Sequence, residues 1–185
     1  MRIVGGDLRG RALATPSGMA IRPTTDRARE AMFNILAHAF PDALSGARVI
    51  DLFAGTGALG LESLSRGASF CLFVDQSAES RGLIRTNVEA FGLTGRTRIY
   101  RRDATDLGEA GTLQPFDLLF ADPPYGQGLA TRALAAAAKG AWLKPGALCV
   151  VEEAEGAPFD PGAAFRLADE RHYGQSVLRF LVAAG

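Results

Sequence analysis

Two stretches of this chain have residue types and spacing that can do chemistry. The first runs from Arg48 to Gly60, R-V-I-D-L-F-A-G-T-G-A-L-G. A short apolar run containing Asp51 breaks into Gly55, Gly57 and Gly60, then continues as a helical pattern. Glycines there permit tight turns and let backbone N–H groups approach a ligand with no Cβ in the way. The spacing Gly55-x-Gly57-x-x-Gly60 fits a dinucleotide-type fingerprint, and Asp75, 20 residues after Gly55, stands where a ribose diol is bound. The second stretch is Asp122-Pro123-Pro124-Tyr125. Two prolines stiffen the backbone and remove N–H donors. What remains is a carboxylate, a free carbonyl and an aromatic face in fixed relation. An amine on a planar base needs two acceptors and a stacking surface, and Asp122, the Pro123 carbonyl and Tyr125 supply them. The same letters also suit a glycine turn used only for helix–sheet packing, and a Pro-Pro turn with a solvent-facing Asp.

The elements around these stretches alternate. Strands are expected at Val49–Phe53, Phe70–Val74, Thr97–Tyr100, Phe116–Ala121 and Ala147–Val151, with helices between them. One helix should start near Asp26, capped by Thr25 or Asp26 and stopped by Pro41. Others should cover Ala78–Phe91, with Leu83, Ile84, Val88 and Phe91 inward, and Leu129–Trp142. Residues 2–15 read as a β-hairpin or extended arm, and Phe165–His172 with Gln175–Val182 as a closing antiparallel hairpin about Tyr173-Gly174. The fold class is therefore α/β: a doubly wound, mostly parallel, seven-stranded sheet with a C-terminal antiparallel hairpin. Residues 1–45 should form a basic hairpin-and-helix appendage, and 46–185 the main domain.

Composition narrows the choice. The chain has 185 residues, 48% of them hydrophobic, and a formal net charge of +0, so it is not a polycation. Yet residues 1–29 hold six arginines, Arg2, Arg9, Arg11, Arg22, Arg27 and Arg29, against two acids. Such a basic arm can track a phosphate backbone, or it can be an edge whose charges prevent pairing. Cys71 and Cys149 fall in apolar runs and should be buried thiols in a reducing compartment. No Cys/His cluster suggests a metal. The N-terminus does not read as a secretory signal and no run has membrane-span length, so a cytoplasmic protein is expected.

The motifs together resemble those of class I S-adenosylmethionine-dependent methyltransferases. Four segments are similar to one bacterial family within that class, the RsmD family: Arg2-Ile3-Val4-Gly5-Gly6-x-x-Arg9-Gly10, Arg22-Pro23-Thr24-Thr25-Asp26-Arg27-x-Arg29-Glu30, Asp51 to Glu62, and Asp122 to Tyr125. The resemblance spans nearly the whole chain, and the Arg22–Glu30 segment is its most specific part. It implies a Rossmann-like methyltransferase moving a methyl from S-adenosylmethionine to guanine N2 in 16S ribosomal RNA, free or within an assembled subunit; nothing in the sequence demands more than a monomer. The implied cofactor-binding set is Asp51, Phe53, Gly55, Gly57, Asp75, Gln76, Asp103 and Ala104. Asp51 and the glycines would hold the methionine end, and Asp103 the adenine amine. The implied catalytic set is Asp122, Pro123, Pro124 and Tyr125. Phosphates would be gripped by Arg2, Arg9, Arg11, Arg22, Thr24, Arg27 and Arg29.

Other readings share parts of this pattern. A DNA amino-methyltransferase or a protein-glutamine methyltransferase would use the same chemistry, though the first usually carries a larger recognition region and the second more often has Asn at position 122. An NAD-dependent oxidoreductase shares the glycine loop and Asp75 but gives no reason for Asp122 to Tyr125. An idle RNA-binding protein would not need Asp122.

Overall fold

The computed structural model describes residues 1–17, 25–124 and 127–185. Arg22, Thr24 and Tyr125, expected above to be functional, lie outside those residues. In chain order the elements are α1 (Asp26–Ala39), β1 (Arg48–Leu52), α2 (Ala58–Ser65), β2 (Phe70–Val74), α3 (Ala78–Ala90), β3 (Thr97–Tyr100), β4 (Phe116–Ala121), α4 (Leu129–Lys139), β5 (Leu143–Ala154), β6 (Phe165–Tyr173) and β7 (Ser176–Ala183). The strands form a seven-stranded sheet in the order β3-β2-β1-β4-β5-β7-β6. All pairs from β3 to β5 are parallel, and β7 joins antiparallel to β5 and β6.

The two-residue period of the strands sorts side chains into two cores. Val49, Cys71, Phe73, Leu118, Phe120 and Val150 pack on one face with residues of α1, α2 and α3. Ile50, Leu52, Leu72, Val74, Leu119 and Val151 pack on the other with α4 and Trp142. The central strands β1, β2 and β4 are buried on both faces, which is why they read as nearly unbroken apolar runs. Both cysteines are buried thiols, and burial raises the pKa of each. Among the described residues, no helix is long and apolar enough to cross a membrane.

Beyond shifts of one to three residues at strand and helix ends, three features differ from expectation. First, α4 stops at Lys139, not at Trp142. Gly140 caps it, and a Cβ at Gly140 would lie 2.0 Å from the Gly108 carbonyl oxygen. Trp142 then drops into the core, where its Nε1–H donates to that same carbonyl at 2.8 Å. Second, β5 begins at Leu143, four residues early. Pro145-Gly146 is absorbed as an irregularity opposite β4, where pairing resumes at Leu118↔Leu148. Third, the N-terminal hairpin reduces to a single bridge, Arg2↔Ala12. The N–H groups of Ile3, Gly10 and Leu13 bond across the arm to the carbonyls of Arg11, Ile3 and Met1, but others leave it: Val4 and Gly5 N–H donate to Glu62, and Leu8 N–H to Ser65 Oγ.

That last contact is part of a buried charge cluster. Glu62 on α2 is fully buried, and so is Arg29 on α1, whose Nε donates to Glu62 Oε1 at 3.1 Å. Arg66 Nε donates to Glu62 Oε2 at 2.8 Å. Arg29 also reaches Asp26 and the carbonyl of Arg2. Arg29 therefore pins the N-terminal arm and α1 to α2, and it does not present its guanidinium to solvent as the expected phosphate contact would require. Glu62→Ala leaves that guanidinium buried without its main anion, and is expected to lower stability by about 3–5 kcal/mol. Urea unfolding followed by fluorescence of Trp142, the one tryptophan, reads the loss; a change below about 1 kcal/mol would contradict the cluster's role.

Candidate active site

Strand order reverses between β1 and β4, where chain connections leave in opposite directions. In an open α/β sheet the crevice at the carboxyl ends of such strands is where ligands bind. Here it is a cavity of about 970 Å³. Its walls include Asp51 near the end of β1 and Phe53 and Gly55 just after it, Asp75 and Gln76 after β2, Asp103 and Ala104 after β3, and Asp122, Pro123 and Pro124 after β4.

Local geometry explains how each acid is held. Asp51 is buried, and its Oδ2 accepts from the Gly60 N–H at 3.0 Å, so the carboxylate faces the first turn of α2. Burial pushes its pKa well above the carboxylate range; the Gly60 N–H opposes this, while the nearby charges of Asp122 and Asp75 add to it. Asp75 Oδ2 accepts from Gly55 N–H at 2.9 Å and Oδ1 from Ser77 N–H at 2.8 Å. It thereby ties the glycine loop to the start of α3. The Thr105 hydroxyl and N–H, at 2.7 and 2.8 Å, hold Asp103 below the usual carboxylate range, with help from the Gln76 side chain and the Arg132 charge. Asp122 is partly buried and Pro123 is buried, whereas Pro124 is exposed.

The three glycines divide their work. Gly55 lines the cavity with φ at 59°. Gly57 caps α2 in the left-handed region at φ 81°, and a Cβ there would press on Ile84 and Phe73 at 3.2 Å. A Cβ on Gly60 would meet Phe73 at 2.5 Å and Cys71 Sγ at 2.6 Å. Gly57 and Gly60 thus serve turn and helix–sheet contact, and neither is among the cavity-lining residues. Phe53, at φ 54°, is a non-glycine residue in the left-handed region, a strain found where a side chain is aimed for function.

The described arginines of the N-terminal segment are dispersed. Arg2 caps its own arm through the Gly10 carbonyl at 2.7 Å. Arg11 donates to the Ala90 carbonyl and lies over the Phe91 ring at 4.9 Å. Arg9 and Arg27 are exposed, and Arg29 is in the core.

Sequence reasoning missed several cavity residues. Thr25 and Ala28 come from the first turn of α1, Arg132 from α4, Glu152 from the end of β5, and Tyr173 to Ser176 from the β6–β7 turn. Glu152 and Glu153 directly follow the apolar run Ala147–Val151 in the sequence, the one visible signal, and the structure keeps both within β5. The rest depends on which turns the sheet brings together.

Five carboxylates, those of Asp51, Asp75, Asp103, Asp122 and Glu152, line this one cavity against two arginines, Arg102 and Arg132, so it is negative on balance, and a cationic ligand would relieve the cost of ionising Asp51. A cofactor carrying an ammonium and a sulfonium, with ribose hydroxyls near Asp75 and an amino-purine near Asp103, fits this donor and acceptor set.

Comparison with known proteins agrees with the geometry. The family model described as "Conserved hypothetical protein 95" matches residues 1–182. The chain is 39% identical over 183 residues to "Ribosomal RNA small subunit methyltransferase D" of Escherichia coli strain K12, covering 97% of this chain and 88% of that one. It is 39% identical over 127 residues to "Putative rRNA methyltransferase YlbH" of Bacillus subtilis strain 168, covering 68% and 67%. Among solved structures it is similar to "Putative methyltransferase yhhF from Escherichia coli", with a TM-score of 0.83, 33% identity, and coverage of 100% of this chain and 98% of that chain.

Proposed function

Because the chain belongs to the family described as Conserved hypothetical protein 95, the RsmD family, we propose that it methylates the exocyclic N2 of a guanine in small-subunit (16S) ribosomal RNA. The observation that carries this reading is the convergence of Asp51, Asp75 and the Asp122-Pro123 pair on one cavity at the carboxyl edge of β1, β2 and β4. When bound, S-adenosylmethionine supplies a methyl group already activated by its sulfonium charge. The chain's residues therefore mainly position, and holding two reactants together can be worth roughly 7–11 kcal/mol.

Asp51 takes the ammonium end, and the Gly55 backbone lies against the chain of the cofactor. Asp75 accepts from ribose hydroxyls, beside Phe53 and Gln76. Asp103, with Ala104, accepts from the adenine amine. Asp122 and the Pro123 carbonyl accept the two N2 hydrogens of guanine. That turns the N2 lone pair toward the methyl and stabilises the positive charge that grows on N2. Pro124 keeps this turn rigid, and Tyr125 stacks on the base, which must leave its own stack to enter the cavity. Residues 1–45 face the RNA, with Arg2, Arg9, Arg11, Arg22, Thr24 and Arg27 near phosphates, and residues 46–185 hold the cofactor. Cofactor and acceptor groups come from one chain, so a monomer suffices.

Labelled methyl transfer to small-subunit ribosomal RNA, free and as assembled subunits, tests the proposal. The expected product after nucleoside digestion is N2-methylguanosine from at least one of the two substrates, at a rate that falls with added salt. Absence of that nucleoside from both would overturn the assignment.

A further inference from the structure

The N-terminal arm and the glycine loop of the cavity share one side chain. Asn87, on the buried stripe of α3 with Ser80, Ile84 and Val88, is 2% exposed. Asparagine is a poor helix former, and a buried amide is costly unless it is bonded. Its partners here come from two distant parts of the chain. Asn87 Oδ1 accepts from the Ala14 N–H at 2.7 Å. Its Nδ2 donates to the Thr56 carbonyl at 3.1 Å and to the Ala14 carbonyl at 3.5 Å. The acceptor and both donors of the amide are thereby used. Thr56 sits between Gly55 and Gly57, is 4% exposed and lines the cavity. Its hydroxyl donates to Met1 Sδ at 3.8 Å, so the arm holds the loop at a second point. Ala14 follows Arg11 by three residues, and the Arg11 guanidinium reaches the Ala90 carbonyl further along α3.

We propose that Asn87 couples two binding events, so that phosphates gripped by the arm and cofactor held in the cavity strengthen each other. This rests on the RNA reading above and deepens it. Three bonds on one rigid amide fix the Ala14 peptide relative to the Thr56 peptide. An arm that leaves α3 strips Asn87 of its Ala14 partners, and a buried amide left half-bonded is unfavourable. The docked arm therefore favours the Thr56 geometry that walls the cavity. RNA phosphates on Arg9 and Arg11 select the docked arm, and with it the loop shaped for cofactor. Linkage makes the effect reciprocal: cofactor that orders the loop raises affinity for RNA by the same factor. Asn87 is not among the described residues that line the cavity, and it acts through Thr56 as a positioning residue.

The test measures binding, not turnover. S-adenosylhomocysteine is titrated calorimetrically into the full chain, alone and saturated with the small-subunit RNA or subunit that accepts methyl. Wild type should bind it at least about fivefold more tightly with RNA present, the lower end of ordinary coupling between two sites. Asn87→Ala should reduce that factor to below about twofold. Ile84→Val trims a side chain on the same stripe, next to Gly57, without touching a bond to the arm, and should keep the coupling. A merely structural Asn87 would weaken each ligand separately and leave the ratio intact, so a folded Asn87→Ala with wild-type coupling would overturn the proposal. Amide exchange on wild type reads the same link with no variant and no RNA. S-adenosylhomocysteine should slow exchange of the Leu13 and Ala14 N–H groups more than that of the β6 strand. Equal slowing, or none, would overturn the link whether or not Asn87→Ala folds. Selective slowing in a protein that methylates no RNA would uphold the link from arm to cofactor and overturn the functional reading instead.

Discussion

Asp51→Asn is expected to bind S-adenosylmethionine roughly 10²–10³-fold more weakly than the parent, the effect of removing one partner of a buried charge pair worth about 3–4 kcal/mol. It is also expected to melt at a higher temperature when no ligand is bound. Both effects come from the same burial. The Asp51 carboxyl is enclosed, and its pKa in the folded chain stands well above the 3.8 of an ordinary Asp. Between those two values the folded chain holds a proton that the unfolded chain has released, so stability falls as pH rises through that window. Above the window the fold carries the full cost of an ionised, buried carboxylate. Asparagine removes that cost and still accepts from the Gly60 N–H through its own oxygen. What it cannot do is balance an ammonium. For the parent, cofactor affinity should fall on acidification at a pH above the ordinary carboxylate range, because only ionised Asp51 attracts a cation. Asp122→Asn should shift that fall to lower pH, since the Asp122 charge is one of the causes that raise Asp51. Calorimetric titration across pH, with melting curves on ligand-free protein, checks all of this. An Asp51→Asn protein that melts lower and binds normally would remove Asp51 from the cofactor site.

Asp122→Ala should lower kcat for methyl transfer by roughly 10²–10³-fold, the usual loss when one preorganised group facing developing charge is removed. Cofactor affinity should be retained at neutral pH, because the proposed cofactor contacts are Asp51, Asp75 and Asp103 at the ends of β1, β2 and β3, whereas Asp122 follows β4. The split matters: a fall in kcat with intact cofactor binding places Asp122 at the reacting amine, whereas parallel loss of both would make it a support of the cofactor pocket. Asp122→Asn should lose less than Asp122→Ala, since its amide oxygen can still accept one N2 hydrogen. Single-turnover transfer with saturating cofactor separates these outcomes. Full activity in Asp122→Ala would end the present reading of the Asp122-Pro123 turn.

Much of this architecture could be read along the chain. Phe70–Val74, Thr97–Tyr100 and Phe116–Ala121 have the same bounds in the structure as in the sequence reading. Phe70–Val74 and Phe116–Ala121 are mostly apolar runs of strand length, and a strand buried on both faces needs no partner-specific information to be recognised, while Thr97–Tyr100 is marked instead by β-branched and aromatic residues between arginines. The acids after β1, β2 and β4 were equally visible, because in a parallel sheet every strand runs the same way. A residue at the carboxyl end of one such strand therefore shares an edge with the others. Thr25 was legible as a cap for the same local reason, and its Oγ1 accepts from Ala28 N–H at 3.1 Å.

Arg29 shows where that logic stops. Its neighbours Arg27 and Arg22 suggest a basic surface, and nothing within a few residues says that Arg29 will be enclosed. Its partner, Glu62, lies 33 positions away on another helix. Glu152 is the same case in reverse. It is one of two acids after a strand, and only the return of β7 brings Ser176 to its carboxylate. The amino-acid sequence by itself determined the strand order of chemistry: which acids end which strands, and that glycines open the first turn. Those depend on period and turn geometry, which act over a few residues. Tertiary structure alone decided which glycine lines the cavity and which meets Phe73, which arginine is buried, and which carboxylates share one cavity. Those depend on burial and charge pairing between elements far apart in the chain, and neither can be computed from neighbours in sequence.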